Sequence, residues 1–514
     1  MIELRAKAKG EATENCLRTG GYRGWMRMSL NKFEVKEFKT DKWEYLLLGV
    51  CLIFYLLFPI IDGPVWCVDS EGYVSMHISR EPLYPSFLAL CRWIAGVCKV
   101  DALMTAVVLQ SILAGMAAWF VGWVVRRAKQ GSRVLQTAAI LFQFAVTLLN
   151  RFAAKRGSAY SDSILTEGLG LSLFVFFSAF LFLFIRTEKK RYFGWTLLFS
   201  FLLVSLRKQM MITLLILGVV LVWYELIRRR RVRRFLCLAV MAAAVFFAGK
   251  LFDRTYQYAV RGVWMEHSGN SMGILCTLLY SSDPERDAGL FTDETIRELY
   301  LEIMEQADAQ QILYPYAGSG WLTTAIHYAD SYDAIGYGII NPVVFGYISE
   351  HFQLSEPEAA MQYDEICKEM SNTLFRQEPL PLLRVYCYNT WQGLVNSVAK
   401  AHPALSLYAA AVYLFMGAAA CCLVVQKKKI ERRLSESVGA VVTEYEELVR
   451  QIDASLCFTM ITMAGIVINA VVVGLFIFAQ PRYMIYGMGL FYTACCMIAW
   501  DLYACWRKGI LYKF

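Results

Sequence analysis

Residues 210–252 read MMITLLILGVVLVWYELIRRRRVRRFLCLAVMAAAVFFAGKLF, and this stretch decides the fold. Two apolar runs, 210–227 and 235–252, flank the basic connection RRRRVRR (228–234). Each run approaches the ~20 residues that cross a hydrocarbon core of ~30 Å. Because hydrocarbon offers no partners to backbone amides and carbonyls, such runs cross a bilayer as helices. The stretch therefore predicts two membrane spans joined by a short charged turn.

The same alternation continues through the chain, of which 57% of the 514 residues are hydrophobic. A soluble protein of this length keeps its charges interspersed, whereas here they fall in short blocks between uncharged runs. The pattern predicts an all-α polytopic membrane protein with about ten transmembrane helices. The ten predicted spans are 44–61, 102–125, 134–150, 164–185, 192–206, 210–227, 235–252, 404–425, 455–479 and 484–503. The true start of translation, Met1 or Met28, stays open.

The orientation follows from Lys and Arg in the short connections, which favour the cytoplasm. An alternating path places four basic connections on one side, together with the basic segment before the first span and the tail. Both termini are thus predicted to be cytoplasmic. One connection is an exception, because Arg151, Lys155 and Arg156 fall on the other side. The four connections are 126–133, 186–191, 228–234 and 426–433.

The long segment 253–403 has the opposite charge. It holds eight Lys or Arg and twenty Asp or Glu, a net charge of −12, although the whole chain carries +8. We expect a helical extracytoplasmic domain here, with helices near 292–308, 357–375 and 380–399. The overall positive charge then reflects topology and contact with anionic lipid, and no nucleic-acid partner is expected. The predicted regions are a cytoplasmic N-terminal segment (1–43), seven spans (44–252) with an acidic first outer loop (62–101), the outer domain (253–403), and three spans (404–514) with a cytoplasmic loop (426–453).

The first outer loop carries Asp69 and Glu71 just after the first span, followed by Arg80, Glu81 and the turn PLYP (82–85). One interpretation is a solvated loop with a Pro-bounded interfacial helix. The other is a general base at the membrane surface, where partial desolvation raises the pKa of a carboxyl group toward a useful range.

Asp162 and Glu167 lie at the predicted outer start of the fourth span. An ionisable residue within a span is costly and is by default a functional candidate. Acids at a helix start also interact favourably with the helix dipole, so a capping role is an equal alternative.

Cations occur at two further outer turns, where the orientation rule disfavours them. Arg207 and Lys208 interrupt an apolar run within SLRKQMM (205–211), and Arg482 follows a proline in AQPRYMIY (479–486). Phosphate recognition at headgroup depth would explain them. Plain turns between spans are the alternative.

Together these motifs resemble the GT-C integral-membrane glycosyltransferases, such as protein O-mannosyltransferases and bacterial aminoarabinose transferases. The resemblance rests on DSEGY (69–73), on REPLYP (80–85) as a variant of a Pro-rich turn, on LTEG (165–168) and on PRY (481–483). Ser70 separates the two acids that are adjacent in the family, so the resemblance does not say whether Asp69 or Glu71 is the base.

The resemblance implies transfer of a sugar, with inversion, from a polyprenyl-phosphate-linked donor to an extracytoplasmic acceptor, which is a protein, a lipid or a glycan. Asp69 or Glu71 would act as catalytic base. Family members differ in metal use, so a divalent metal ion as cofactor stays open, with Glu71, Asp162 and Glu167 as its candidate ligands. The implied substrate-binding residues are Tyr73, Arg80, Glu81, Asp162 and Glu167. The implied lipid-phosphate-binding residues are Arg207, Lys208, Arg482 and Tyr483.

Two other functions compete with this interpretation. A transporter or flippase of lipid-linked sugars needs polar residues near the bilayer midplane and broken helices, whereas the ionisable residues here gather at one face. A polysaccharide polymerase or O-antigen ligase shares the lipid-linked substrate and a large outer loop, but it is expected to use basic and His residues there. A non-enzymatic scaffold is the least favoured.

Overall fold

The structure is a computed structural model, and it describes residues 41–153, 158–399, 405–434 and 441–508. These residues are helical almost throughout. Their only bridge between extended segments is an isolated parallel pair, Val65 with Ser163. The predicted all-α class is therefore confirmed.

The first part of the chain forms nine helices. Between the seventh and eighth lies a short 3₁₀ turn, Lys208–Met211, and the eighth continues as a π-helical segment, Val222–Arg228. The nine helices are α1 (Lys42–Asp62), α2 (Ser70–Val74), α3 (Leu83–Cys98), α4 (Ala102–Ala128), α5 (Arg133–Ala153), α6 (Thr166–Thr187), α7 (Lys190–Leu206), α8 (Ile212–Leu221) and α9 (Val232–Arg261).

Shorter helices follow, and then three long ones close the chain. The segment Ala334–Ile340 continues α13 as a π-helix. The helices are α10 (Met272–Ser281), α11 (Pro284–Asp287), α12 (Glu294–Ala309), α13 (Trp321–Asp333), α14 (Asn341–His351), α15 (Glu356–Leu374), α16 (Pro379–Val398), α17 (Leu405–Leu434), α18 (Val441–Phe476), α19 (Pro481–Met484) and α20 (Met488–Arg507).

Each of the ten predicted spans coincides with a helix. Among the described residues, nine helical stretches are long and apolar enough to cross a membrane. Helix α7 matches a predicted span but is not among these nine, because it has 17 residues. Helix α9 ends later than the predicted span 235–252. It continues to Arg261 and stops at Gly262, whose φ of +74° suits a residue without Cβ.

The predicted first outer loop contains the helix that its prolines predict. Helix α3 begins directly after Pro82 and keeps Pro85 in its first turn, where no intrahelical donor is lost. Leu88 and Cys91 are buried on the face toward α4.

Residues 262–399 form the helical domain, with its own core. One face of α12 is apolar and buried. Asp293 caps the helix by accepting a hydrogen bond from the Ile296 amide at 3.0 Å. The buried residues of that face are Ile296, Leu299, Tyr300, Ile303 and Met304. The domain packs on one end of the bundle, where Thr277 Oγ1 donates to the carbonyl oxygen of Leu475 at 3.2 Å. We call this end the domain end.

The four basic connections meet at the opposite end. Lys129 Nζ lies 2.6 Å from Asp501 Oδ1, and neither side chain is exposed. Arg228 Nη2 lies 2.7 Å from Asp453 Oδ2, and Arg231 Nη2 lies 2.6 Å from Glu188 Oε1. The connections thus share one end, as predicted; which side of the membrane that end faces stays a prediction.

Arg151, the described part of the exception to the orientation rule, lies at the domain end. Its Nη2 donates to Asp62 Oδ1 at 2.7 Å, across the ends of α5 and α1. A paired arginine adds little net charge to that side, which accounts for its tolerance there. Lys155 and Arg156, like the basic segment before residue 41, lie outside the described residues.

Candidate functional site at the domain end

Two loops at the domain end are tied to each other through their backbones. The Val65 amide donates to the carbonyl oxygen of Asp162 at 2.8 Å, and the Ile164 amide donates to the carbonyl oxygen of Val65 at 3.0 Å. Ser70 Oγ donates to the carbonyl oxygen of Ile164 at 2.9 Å. These bonds hold the start of α2, and Asp69 before it, beside the start of α6.

Side chains of the neighbouring helices α3 and α4 also hold these loops in place. Tyr84 of α3 donates through its hydroxyl to Gln110 Oε1 of α4 at 2.8 Å. Gln110 Nε2 then donates to the carbonyl oxygen of Ser163 at 3.0 Å. Gly168 lies against this amide, since a Cβ there would be 2.6 Å from Gln110 Nε2. The PLYP and LTEG motifs therefore meet through one buried glutamine.

Asp162 is buried and serves the loop itself. It accepts hydrogen bonds from Ser158 Oγ at 2.8 Å and from the Ala159 amide at 3.0 Å. Burial raises the pKa of this carboxyl group above its usual value. These bonds account for a role in holding the loop, and the substrate contact expected from the sequence stays a prediction.

Five charged side chains meet where these loops reach the bundle: Asp69, Arg80, Glu167, Arg207 and Arg482. We call them the charge cluster. Asp69 Oδ1 lies 3.2 Å from Arg80 Nη2, and Asp69 Oδ2 lies 2.9 Å from Arg482 Nη1. Glu167 Oε1 accepts from Arg207 Nη1 at 2.6 Å and lies 3.9 Å from Arg482 Nε. Arg482 therefore links the first loop to the start of α6.

Tyr483 lies against two of the arginines. The Cζ atom of Arg207 lies 4.3 Å from the centre of its ring, and that of Arg482 lies 4.8 Å from it. Guanidinium groups stack favourably on aromatic faces. Asn469 Nδ2 holds the Tyr483 carbonyl oxygen at 2.7 Å, and Gln209 Nε2 holds it at 3.0 Å. The ring thus keeps two like charges close to each other.

The charge cluster has more positive than negative charge. Three arginines face two carboxylates, so its formal charge is +1. The Glu167 side chain is 1% exposed and that of Arg207 is 17% exposed. Uncompensated buried charge is costly, so such a cluster favours a bound anion. Burial opposes the ionised form of Asp69, but the positive charges of Arg482 and Arg80 outweigh it and hold the pKa below its usual range.

Gly72 sets the place of Arg80. A Cβ on Gly72 would lie 2.6 Å from Arg80 Nε. The Arg80 guanidinium stacks on the ring of Tyr73, with Cζ 4.7 Å from its centre. Gly72 and Tyr73 of the DSEGY motif thus position an arginine that belongs to the next motif.

The remaining candidates lie at the rim. Glu81 Oε1 accepts from the backbone amide of Lys208 at 2.8 Å, which joins the REPLYP motif to the turn after α7. The Lys208 side chain is exposed. Glu71 is exposed on α2, where its carbonyl oxygen accepts a hydrogen bond from Ser75 Oγ. The structure therefore brings Asp69, not Glu71, into the charge cluster.

Two residues near the cluster gave no signal in the sequence. His267 Nδ1 lies 2.6 Å from Asp253 Oδ2, a pair that forms because the chain turns back after α9. Burial lowers the pKa of His267, but the hydrogen bond with Asp253 outweighs it and the pKa is raised. Tyr337 lies on the π-helical segment, and burial, followed by the charge of Asp69, raises its pKa to about 12. Neither lies in a recognisable motif.

A metal site has no support in the described part of the chain. There, no group of three or more His, Cys, Asp or Glu side chains is placed to hold an ion. The oxygens of Asp69 face arginines, as does Oε1 of Glu167.

No protein-family model and no curated protein matches the chain significantly. Among solved structures, the chain is similar to a crystal structure of ArnT from Cupriavidus metallidurans in the apo state. The two are 12% identical, the match covers 89% of this chain and 77% of that one, and the TM-score is 0.29. The function proposed below rests on the geometry of this chain.

Proposed function

We propose that this protein is a membrane glycosyltransferase that moves a sugar from a polyprenyl-phosphate-linked donor to an acceptor at the domain end. The observation that carries this proposal is the charge cluster. Three arginines and two carboxylates converge at one end of an apolar helical bundle, with a formal charge of +1 and little exposure. A lipid-linked phosphate matches both the apolar surroundings and the excess positive charge.

The arginines would bind the phosphate of the donor. Guanidinium groups make paired hydrogen bonds to phosphate oxygens, and they stay charged at all working pH values. Arg207 and Arg482 both lie over one tyrosine ring, and the exposed Lys208 follows Arg207 at the rim. As the sugar leaves, negative charge grows on the phosphate, and fixed cations placed there lower the barrier.

Asp69 would accept the proton from the attacking hydroxyl. The oxygen of the acceptor forms a bond to the anomeric carbon as the bond from that carbon to the phosphate oxygen breaks, which inverts the centre. Asp69 is ionised at neutral pH. Burial would raise its pKa, but Arg482 and Arg80 outweigh burial and hold the pKa below the usual range. This is the opposite of the rise expected from desolvation, and it makes Asp69 a weaker base in the resting protein. Glu71 is the alternative base; it is exposed on α2, in the helix whose N-terminus Asp69 precedes.

The direct test is an assay with purified protein in nanodiscs and a panel of polyprenyl-phosphate-linked sugars, with and without chelator. We expect sugar-dependent release of polyprenyl phosphate in the presence of a matching acceptor. Movement of the intact lipid-linked sugar across the bilayer without release would instead indicate the flippase alternative. Growth of a glycan chain by repeated transfer of oligosaccharide units would indicate a polymerase.

A further inference from the structure

Both oxygens of the Asp69 carboxylate are engaged in the resting protein. Oδ1 faces Arg80 and Oδ2 faces Arg482, at 3.2 and 2.9 Å. A general base needs an oxygen within reach of the hydroxyl whose proton it takes. Each arginine also makes the carboxylate a weaker base, so release of one of them gives Asp69 a stronger basicity and leaves one oxygen open to the hydroxyl.

Arg482 is the arginine whose departure costs less. Its three nitrogens contact Asp69 Oδ2, Gln480 Oε1 at 2.6 Å and the Tyr483 hydroxyl at 2.7 Å. It also lies 3.9 Å from Glu167. If Arg482 moves away from Asp69, its contacts with Tyr483, with Gln480 Oε1 and with the Glu167 carboxylate remain. Arg80, by contrast, forms its ion pair with Asp69.

We propose that Arg482 is a positioning residue that passes from Asp69 to the donor phosphate, so that Asp69 becomes a free base only when the donor is bound. This inference rests on the proposed function. It assigns one arginine two successive partners and makes the arrival of the anion the event that frees the base.

The charges change in the direction that this exchange requires. The donor is a phosphodiester with one negative charge, and its binding brings the cluster from +1 to neutral. During transfer the acceptor oxygen bonds to the anomeric carbon, and the electron pair of the broken bond stays on the phosphate oxygen. The hydroxyl proton goes to Asp69 Oδ2. The phosphate then carries more charge than before, so its attraction to Arg482 is stronger in the transition state than in the ground state.

The accessibility of Asp69 tests the exchange without any need for turnover. Purified wild-type protein is treated with a water-soluble carbodiimide and an amine, and labelling of Asp69 is measured by mass spectrometry. Polyprenyl phosphate is the probe, and the uncharged polyprenol is its matched control. We expect polyprenyl phosphate to raise the labelling of Asp69 severalfold and polyprenol to leave it unchanged. Asp308, which contacts Tyr316 on the domain surface, serves as the internal reference.

An Arg482→Gln variant gives the second arm, with Arg384→Gln, an exposed arginine on α16, as control. In the Arg482→Gln protein we expect high labelling of Asp69 without any lipid. We also expect the acidic limb of its residual kcat/KM profile to move to higher pH, since Asp69 has lost a cation. Arg384→Gln should match the wild type in both measurements.

Unchanged labelling of wild-type Asp69 under saturating polyprenyl phosphate, with binding verified by native mass spectrometry, would overturn the exchange. The wild-type titration decides this even if Arg482→Gln does not fold. Failure of the proposed function has a different signature. In that case wild-type protein transfers no sugar from any lipid-linked donor, whatever the labelling shows.

Discussion

Asp69 carries the chemistry in the proposed reaction, and the Asp69→Asn variant isolates it. An amide keeps the size of the side chain but cannot accept the hydroxyl proton, so we expect transfer to fall at least about a thousandfold, within the range that general base catalysis supplies. The variant also leaves Arg80 and Arg482 without their shared carboxylate, so we expect a lower thermal midpoint, and rates are compared per amount of folded protein. Initial rates on a lipid-linked donor measure the loss. Near-normal rates would assign the base to Glu71, and Glu71→Gln is the paired variant.

Gly72 acts by lacking a side chain. In Gly72→Ala the new Cβ would lie 2.6 Å from Arg80 Nε and would displace that guanidinium from Tyr73 and Asp69. We expect transfer to fall about tenfold, which corresponds to ~1.4 kcal/mol of barrier. Gly96→Ala on α3 is the matched control, since nothing lies within 4 Å of its Cβ. Equal rates for both alanine variants would show that Arg80 adapts without loss.

At this scale the sequence indicates which residues meet but not how they pair. Asp69, Glu167, Arg207 and Arg482 all lie next to span ends that the alternating path places on one side, so their proximity follows from topology. Their partners depend on the bonds between two loops about 95 residues apart, which have no periodic signal. The sequence does not indicate the pair of His267 and Asp253 either, because this contact too has no periodic signal.

Helices α4 and α20 are joined at the basic end by the ion pair of Lys129 and Asp501. Removing one member of a buried pair leaves a bare charge, and this costs about 3–5 kcal/mol. We therefore expect Lys129→Met to lower the thermal midpoint strongly. The double variant Lys129→Met with Asp501→Leu should recover most of the loss, because a well-packed apolar pair is tolerated. If the double variant is as unstable as the single variant, the loss of stability comes from altered packing and not from the unpaired charge.

The pair of His267 and Asp253 fastens the segment after α9 to that helix, and it makes the fold sensitive to pH. Asp253 raises the pKa of His267 in the folded protein. The stabilisation is therefore complete below the usual histidine pKa of ~6.5 and is lost as the pH rises through the raised value. We expect the stability difference between wild type and His267→Gln to shrink between pH ~5.5 and ~8.5. Denaturant titrations across that range measure it, and a constant difference contradicts it.

Helices are the scale at which the sequence is most informative here. The apolar face and cap of α12 follow from its 3.6-residue period and from Asp293, and the starts of α15 and α16 follow from their prolines. The extension of α9 to Arg261 does not follow from hydropathy. Residues 253–261 are polar enough to end a span, yet they contain no breaker before Gly262, so the helix runs on into the domain.

The whole molecule is electrically divided, which is the basis for its predicted orientation. The segment 253–403 carries −12, and the basic connections gather at the other end of the bundle. In a protein otherwise free of cysteine, we expect the exposed Cys387 to react with an impermeant maleimide in intact cells. A cysteine placed at the exposed Lys428 should react only after permeabilisation. The reverse pattern would invert the topology.

The brevity of α7 has a consequence for the lipids around it. A helix of 17 residues is about 26 Å long, a few ångströms less than a typical hydrocarbon core. Such mismatch is relieved by local thinning of the bilayer. Because Arg207 follows the last residue of α7 directly, we expect this thinning to lie at the charge cluster. A lipid headgroup can then come level with the arginines while its chain stays in the leaflet, and the protein need not lift it into water.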